Sequence, residues 1–240
     1  MKIKKDIIYA GTQLLNVYLP DDESYSSVFV YFHGGGIESG DKSSADVLAT
    51  YLTEHSTAVV SANYRMYPDH SYPDFLYDAA AAVRWAKDNM NTNTIYVGGS
   101  SAGGYISMML CFDKKYYEGA GIKPSDIAGY VHDAGQPTAH FNVLKYKEID
   151  PRRVIIDESA PIYHVGLSEE YPRMLFIVSD NDMQNRYEQT ILMVSTLKHF
   201  GHEENVSLKL MHGNHCSYVN QVDNDNDSIL GKIIYSFIVE

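Results

Sequence analysis

Apolar and polar positions follow two alternating rhythms along the chain. Short apolar-rich runs at Val28 to Phe32, Thr57 to Asn63, Ile95 to Val97, Ile127 to His132, Met174 to Val178 and Val206 to Met211 read as strands. The runs at Val28 and Ile95 carry almost no polar residue, as expected of strands covered on both faces. Between the runs the spacing turns helical. Over Asp74 to Asn89 the residues Phe75, Ala79, Ala82, Val83 and Ala86 fall on one face. Further helices are expected from a Ser43 or Ser44 cap to His55, from Ser101 through Met108, Met109 and Leu110, near Tyr187 to Phe200, and over Ile229 to Val239. Ile7 to Tyr9 and Leu14 to Leu19, joined through Ala10-Gly11-Thr12, predict an opening antiparallel pair. From Gly135 to Tyr171 periodicity is weak, with breakers at Pro137, Pro151 and Pro161. Strand–helix alternation with buried strands predicts an α/β fold: a mostly parallel central sheet with helices on both faces. No internal repeat or linker interrupts the pattern, so residues 1–240 are expected to form a single domain.

The loops expected at the carboxyl ends of the strands, where ligands sit in such sheets, hold the candidate chemistry. Directly after Ile95-Tyr96-Val97 comes Gly98-Gly99-Ser100-Ser101-Ala102-Gly103-Gly104. Gly99, Ser101 and Gly103 fill the fixed positions of a G-x-S-x-G turn, which pins its serine on a sharp strand-to-helix elbow. Ser101 is the candidate nucleophile, and Ser100, in the variable position, should point elsewhere. A serine hydroxyl needs an adjacent base, and in this arrangement the base comes last in chain order. His215, in the loop after the final strand run, is preferred to His212 at the strand's end. The acid that orients the imidazole is sought in Ser179-Asp180-Asn181-Asp182; Asp182, further past the strand, is preferred to Asp180. His33-Gly34-Gly35-Gly36 ends an earlier strand, and the amides of Gly35, Gly36 and Ala102 are the expected oxyanion donors. His33 is read as fixing the loop. His132, His140 and His164 are left as possible pocket residues, and Tyr116, Tyr117, Tyr146, Tyr163 and Tyr218 as a possible aromatic wall.

Composition narrows the partners. A net charge of −12, from 31 acidic and 19 basic side chains, disfavours nucleic acid and anionic membrane. No segment approaches the ~20 apolar residues of a membrane helix. Two cysteines, Cys111 and Cys216, cannot build a disulfide framework and fit a reduced, cytoplasmic protein. No secretory signal is visible at Met1 to Asp6. Asp223-Asn224-Asp225-Asn226-Asp227 imitates the start of a calcium loop, but the following glycine is missing and Ile234 stands where a bidentate glutamate is needed. It is read as a solvated loop, and no metal site is expected.

Taken together, the chain resembles the α/β-hydrolase superfamily, and within it the hormone-sensitive-lipase-like and bacterial carbohydrate-esterase branch. The resemblance rests on His33-Gly34-Gly35-Gly36 with Ser39-Gly40-Asp41-Lys42, on Asn63-Tyr64-Arg65, Tyr72-Pro73 and Asp78 with Val83-Arg84-Trp85, and on the Ser101 elbow, Ala160-Pro161 and the late Asp and His. It implies the α/β-hydrolase fold with a minimal cap. It also implies a serine carboxylesterase acting on short-chain carboxylic esters, acetylated sugars or aryl esters among them, through an acyl-enzyme and without a cofactor. An arylformamidase-like amide hydrolase is the alternative, and a non-catalytic binding protein on the same scaffold is the rival from another class. The sequence departs from the family pattern at Ser100, where aspartate or histidine is common, and at Met183, where many relatives carry proline. The expected partner is a small-molecule ester; a homodimer is the assembly left open.

Overall fold

The computed structural model describes residues 1–240. Eight strands form one sheet: β1 (Lys2–Ala10), β2 (Gln13–Leu19), β3 (Ser27–Phe32), β4 (Thr57–Ala62), β5 (Ile95–Ser100), β6 (Ile127–Asp133), β7 (Arg173–Asn181) and β8 (Val206–Asn214). Their spatial order is β1-β2-β4-β3-β5-β6-β7-β8. β1 and β2 pair antiparallel, β2 lies antiparallel to β4, and every pairing from β4 to β8 is parallel. Seven helices connect the strands: α1 (Asp46–Glu54), α2 (Asp74–Asn89), α3 (Ala102–Phe112), α4 (Lys115–Ala120), α5 (Phe141–Tyr146), α6 (Arg186–His199) and α7 (Ile229–Val239).

Strand side chains alternate between two cores, as the pleat requires. Val28, Val30 and Phe32 of β3 join Phe75, Ala79 and Val83 of α2, Tyr105 and Met109 of α3, and Met193 and Leu197 of α6 on one face. Phe29 and Tyr31 of the same strand join Leu48 and Leu52 of α1 and Leu230, Ile234 and Phe237 of α7 on the other. The five positions expected on the apolar face of α2 are all buried. Phe75 and Val83 each contribute roughly 1.5–3 kcal/mol relative to exposure, and the three alanines less. Lys2, Lys4 and Lys5 line the exposed edge strand β1, where charge discourages pairing with another chain.

Two expectations need correction. The first helix is not capped by Ser43 or Ser44. Asp41 accepts from the Ser43 amide at 2.9 Å and caps a 3-10 turn over Lys42–Ala45, and α1 begins only at Asp46. The carboxylate of Asp41 is fixed from the other side by Asn63 Nδ2 at 3.0 Å, so it is the better-organised cap. The weakly periodic stretch 135–171 is not wholly irregular either: it contains α5 and a 3-10 turn at Pro161–His164, while α4, short and Tyr-rich, follows α3 without a sequence signal of its own.

One contact sets how α3 meets the sheet. A Cβ on Gly103 would lie 1.9 Å from the Phe32 carbonyl oxygen, a main-chain atom that cannot yield. Gly103→Ala is therefore expected to destabilise the protein by about 3 kcal/mol or more in urea denaturation. Gly119→Ala, in α4 with nothing within 4 Å of the new methyl, is expected to be neutral or stabilising by up to about 1 kcal/mol.

Candidate active site

Ser101 stands between β5 and α3 with φ +56° and ψ −112°, a conformation L residues avoid. Two contacts hold it there. Its amide donates to the Asp133 carbonyl at 2.8 Å, and the absent side chains of Gly99 and Gly103 let α3 start against the end of β3. The side chain of Ser100 turns the other way, donating to Asp133 Oδ2 at 2.5 Å and accepting from the Tyr31 hydroxyl at 3.1 Å.

His215 approaches from the loop after β8. The Ser101 hydroxyl donates to His215 Nε2 at 2.8 Å, and His215 Nδ1–H donates to Asp182 Oδ1 at 2.5 Å. The carboxylate acceptor fixes the proton on Nδ1 and leaves Nε2 free to take the serine proton. The Asp182 side chain is fully shielded from solvent, and His215 keeps 21% of its side chain exposed. Burial pushes Asp182 up, but the hydrogen bond and charge of His215, with the Met183 and Ser179 amides, outweigh it and hold the carboxyl below its ordinary range.

The competing residues form a separate pair. Asp180 accepts from His212 Nδ1 at 2.6 Å and from the Gly213 amide at 2.9 Å, tying β7 to β8 one step before the triad loops. Asn181 and Asn214 add a bond of 2.6 Å beside it. Cys216 adjoins His215, but burial drives its thiol well above the ordinary value, which keeps it protonated and a poor nucleophile.

The His33–Gly36 loop faces the elbow. A Cβ on Gly34 would lie 3.3 Å from the Ser101 Cβ. His33 Nδ1 donates to the Gly34 carbonyl at 2.7 Å and the ring stacks on Tyr64 at 4.4 Å, so this histidine braces the loop. Burial lowers its pKa and keeps it neutral. Asn142 Nδ2 donates to the Gly36 carbonyl at 2.6 Å and fixes that peptide. The amides of Gly35, Gly36 and Ala102 donate to no acceptor in the protein and are available to a ligand.

Sequence reasoning missed Asp133. Its main chain holds Ser101 and its carboxylate holds Ser100, while Oδ1 accepts from Tyr218, three residues after His215. One buried residue thus ties the serine elbow to the histidine loop. Its place at the end of β6, beside the elbow, is a register signal that only strand pairing reveals. Tyr218 therefore belongs to this tie and not to an aromatic wall. Tyr116 and Tyr117 lie in the core, and Tyr146 stacks on Tyr67 at 3.9 Å. His132 is bonded to Ser107 in the core, His140 accepts from the Asn142 amide at the start of α5, and His164 lies 3.6 Å from Asp113; none hydrogen-bonds to Ser101 and none lines the cavity beside the site.

That cavity, ≈ 280 Å³, opens between Phe141, the Pro151–Val154 stretch and the Met183–Arg186 turn that follows Asp182. Phe141 also reaches the space above Gly36, 3.7 Å from a Cβ placed there. Residues 135–171 supply its cover. Elsewhere, Asp223, Asp225 and Asp227 do converge, but the Lys232 ammonium sits against two of them at 2.5 and 2.8 Å and supplies their counter-charge. No helix is long and apolar enough to cross a membrane.

Comparison with known proteins agrees with this architecture. Residues 29–132 match the α/β hydrolase fold family. The chain is 34% identical over 146 residues to esterase LipI of Mycobacterium tuberculosis, a match covering 57% of this chain and 40% of that protein. It is 38% identical over 125 residues to carboxylesterase NlhH of the same species, covering 50% and 34%. The matched stretches thus span 40% or less of those relatives' own length. Among solved structures, esterase B from Lactobacillus rhamnosis superposes with a TM-score of 0.80 at 16% identity, covering 99% of this chain and 85% of that one. Thermogutta terrifontis esterase 2 with butyrate bound gives 0.75 at 17% identity, covering 98% and 93%. The fold is that of the α/β hydrolases.

Burial raises the Asp133 carboxyl to about 6, against the Ser100 and Tyr218 hydrogen bonds and the His215 charge that favour ionisation. Between about pH 4 and 6 the folded state then holds a proton that the unfolded chain has lost. This group's contribution to stability is full below pH 4 and disappears as pH rises through 6. The stability of the natural protein relative to Asp133→Asn is expected to fall by roughly 3 kcal/mol between pH 4 and pH 7.5. Urea unfolding of both proteins at several pH values reads the difference, and a pH-independent gap would contradict it.

Proposed function

We propose that the protein is a serine carboxylesterase that hydrolyses short-chain carboxylic esters through an acyl-enzyme. The observation that carries this is the unbroken line from Asp182 through His215 to the Ser101 hydroxyl, at 2.5 and 2.8 Å. Ser101 Oγ attacks the ester carbonyl carbon while its proton passes to His215 Nε2. Asp182 keeps Nδ1 protonated and stabilises the imidazolium. The carbonyl oxygen becomes an oxyanion that accepts from the Gly35, Gly36 and Ala102 amides; each such donor is worth ~2.7–4 kcal/mol of the barrier. The intermediate collapses, the alkoxide departs with the imidazolium proton, and Oγ carries the acyl group. Water, deprotonated by His215, attacks the acyl carbon and releases the carboxylate and Ser101.

The relatives' names support ester chemistry, and one solved neighbour holds butyrate, a short acyl group. The limited cover over the site favours short acyl chains over long lipids. The free thiols of Cys111 and Cys216 support the cytoplasm as its compartment. The substrate is a small molecule, with no nucleic acid or membrane partner and no cofactor. Light scattering on the purified protein separates a monomer from the homodimer the sequence leaves open.

Ser101→Ala is expected to lower p-nitrophenyl acetate turnover at least ~10⁴-fold with unchanged circular dichroism, and a fluorophosphonate probe should label Ser101 in the natural protein. Asp182→Asn should lose on the order of 10⁴ in kcat. Undiminished turnover in Ser101→Ala, or faster cleavage of N-formylkynurenine than of acetyl esters, would overturn the assignment.

A further inference from the structure

The cavity beside the triad has a charge that the rest of the chain does not share. The protein carries 31 acidic and 19 basic side chains. Yet the eleven residues lining the cavity include Arg152, Arg153 and Arg186 and no carboxylate. The three arginines differ in what already holds them. Arg152 is spent outside the cavity on Asp150, at 2.6 Å. Arg153 makes no side-chain hydrogen bond and no ion pair, although Asp150 is close enough to feel its charge. Arg186 is 4% exposed and donates only to neutral acceptors, the Ala134 carbonyl and Gln136 Oε1. Burial lowers it to about 10, with the Asp182 charge working against the shift, so it remains a cation at neutral pH. A buried guanidinium without an ion pair is costly unless something anionic joins it.

The two buried glutamines of the lining, Gln136 and Gln189, have the same sense, whereas the exposed Gln184 gives its NH2 to Asn185 and keeps an acceptor oxygen. Gln189 is buried, and its carboxamide oxygen is taken by the Thr138 hydroxyl at 3.2 Å, which leaves its NH2 group as the free function. Gln136 spends its NH2 on Thr138 and the Ala139 carbonyl. The unspent hydrogen-bonding capacity of these groups is therefore donor capacity: Arg153, the remaining N–H groups of Arg186, and the Gln189 amide. Phe141, Val154 and Met183 supply apolar walls. Planar guanidinium donors match the two oxygens of a carboxylate. Two lining residues flank the proposed reaction centre: Met183 follows Asp182 in the chain, and Phe141 reaches the space above Gly36.

We infer that this cavity receives an anionic arm of the substrate, so that the esters hydrolysed best carry a carboxylate a short apolar spacer away from the scissile bond, held by Arg153, Arg186 and Gln189. The inference rests on the proposed esterase reading and names the substrate class of that site.

Matched substrate pairs test it. Mono-p-nitrophenyl adipate against p-nitrophenyl hexanoate places the carboxylate on the acyl side; 4-acetoxybenzoate against 4-acetoxybenzamide places it on the alcohol side. At low ionic strength the anionic member of at least one pair should show a kcat/KM about tenfold higher. Arg153→Glu, at an exposed position that does not threaten folding, should reverse that ratio, and 0.5 M salt should shrink it. Whichever pair responds identifies the side of the ester that occupies the cavity. Equal rates, or faster cleavage of the neutral member in both pairs, would overturn the inference while leaving the esterase assignment standing. If no ester is turned over, the esterase reading falls, and calorimetric titration of monomethyl adipate and 4-hydroxybenzoate still reads the cavity. Saturable binding lost in Arg153→Glu supports it; no binding at millimolar ligand refutes it.

Discussion

The site depends on how closely helix α3 presses against the end of strand β3. Gly103 touches the Phe32 carbonyl where any side chain would collide, and Gly99 lies under the same oxygen. That approach leaves the residue between strand and helix no ordinary backbone conformation. Ser101 takes φ +56° because the fold around it is already fixed. The strained turn has a direct chemical result: the Ser101 hydroxyl meets His215 Nε2 at 2.8 Å, and Ala102, the first residue of the helix, keeps an amide without a backbone acceptor. The positions of the proposed nucleophile, Ser101, and of the proposed oxyanion donor, Ala102, thus follow from one steric contact.

A second constraint keeps the partners in register. Ser101 lies at the centre of the sheet, His215 and Asp182 near one side, and the strands between them are β6 and β7. Asp133, at the end of β6, spans that distance with its main chain on Ser101, one carboxylate oxygen on Ser100 and the other on Tyr218. Asp180 and Asn181 then clamp β7 to the end of β8, from which the loop carrying His215 departs. The 2.8 Å contact between serine and imidazole is the end product of these bonds. Asp133 also places a second acid beside the imidazole, one whose proton affinity is raised by burial and lowered by the imidazole's own charge.

These layers were unequally legible in the sequence. Strand runs and the α2 face were readable because parallel strands buried on both sides must be almost wholly apolar, and a helix covering them must show a period of 3.6. The elbow was readable because its geometry admits only glycine at two positions around Ser101. The choice between Asp180 and Asp182, and between His212 and His215, was open on residue type; loop length past the strand separates them, since only the later member of each pair can curl back over the sheet. Asp133 and Tyr218 carried no local mark, because their partners are 33 and 85 residues away in sequence. The start of α1 was misread for a similar reason: Asp41 outcompetes the neighbouring serines through Asn63, a residue from the next strand's end.

Charge in the cavity follows the same logic of distance. Arg152 and Arg153 belong to the weakly periodic stretch, Arg186 opens a helix, and Gln189 lies on its first turn; no sequence window contains them together. Once folded, they meet beside an aspartate whose negative charge is committed to the imidazolium. Arg186 therefore faces two demands. Its charge favours the ionised state of Asp182 by proximity, yet a cation left alone near a developing imidazolium would oppose it. An anionic group entering the cavity would answer both, pairing with the guanidinium while leaving Asp182 to His215. A neutral substrate would leave that balance uncorrected. On the proposed reading, a single buried arginine would couple recognition of the remote arm to stabilisation of the reacting charge, and binding of the arm would then act on kcat as well as on KM.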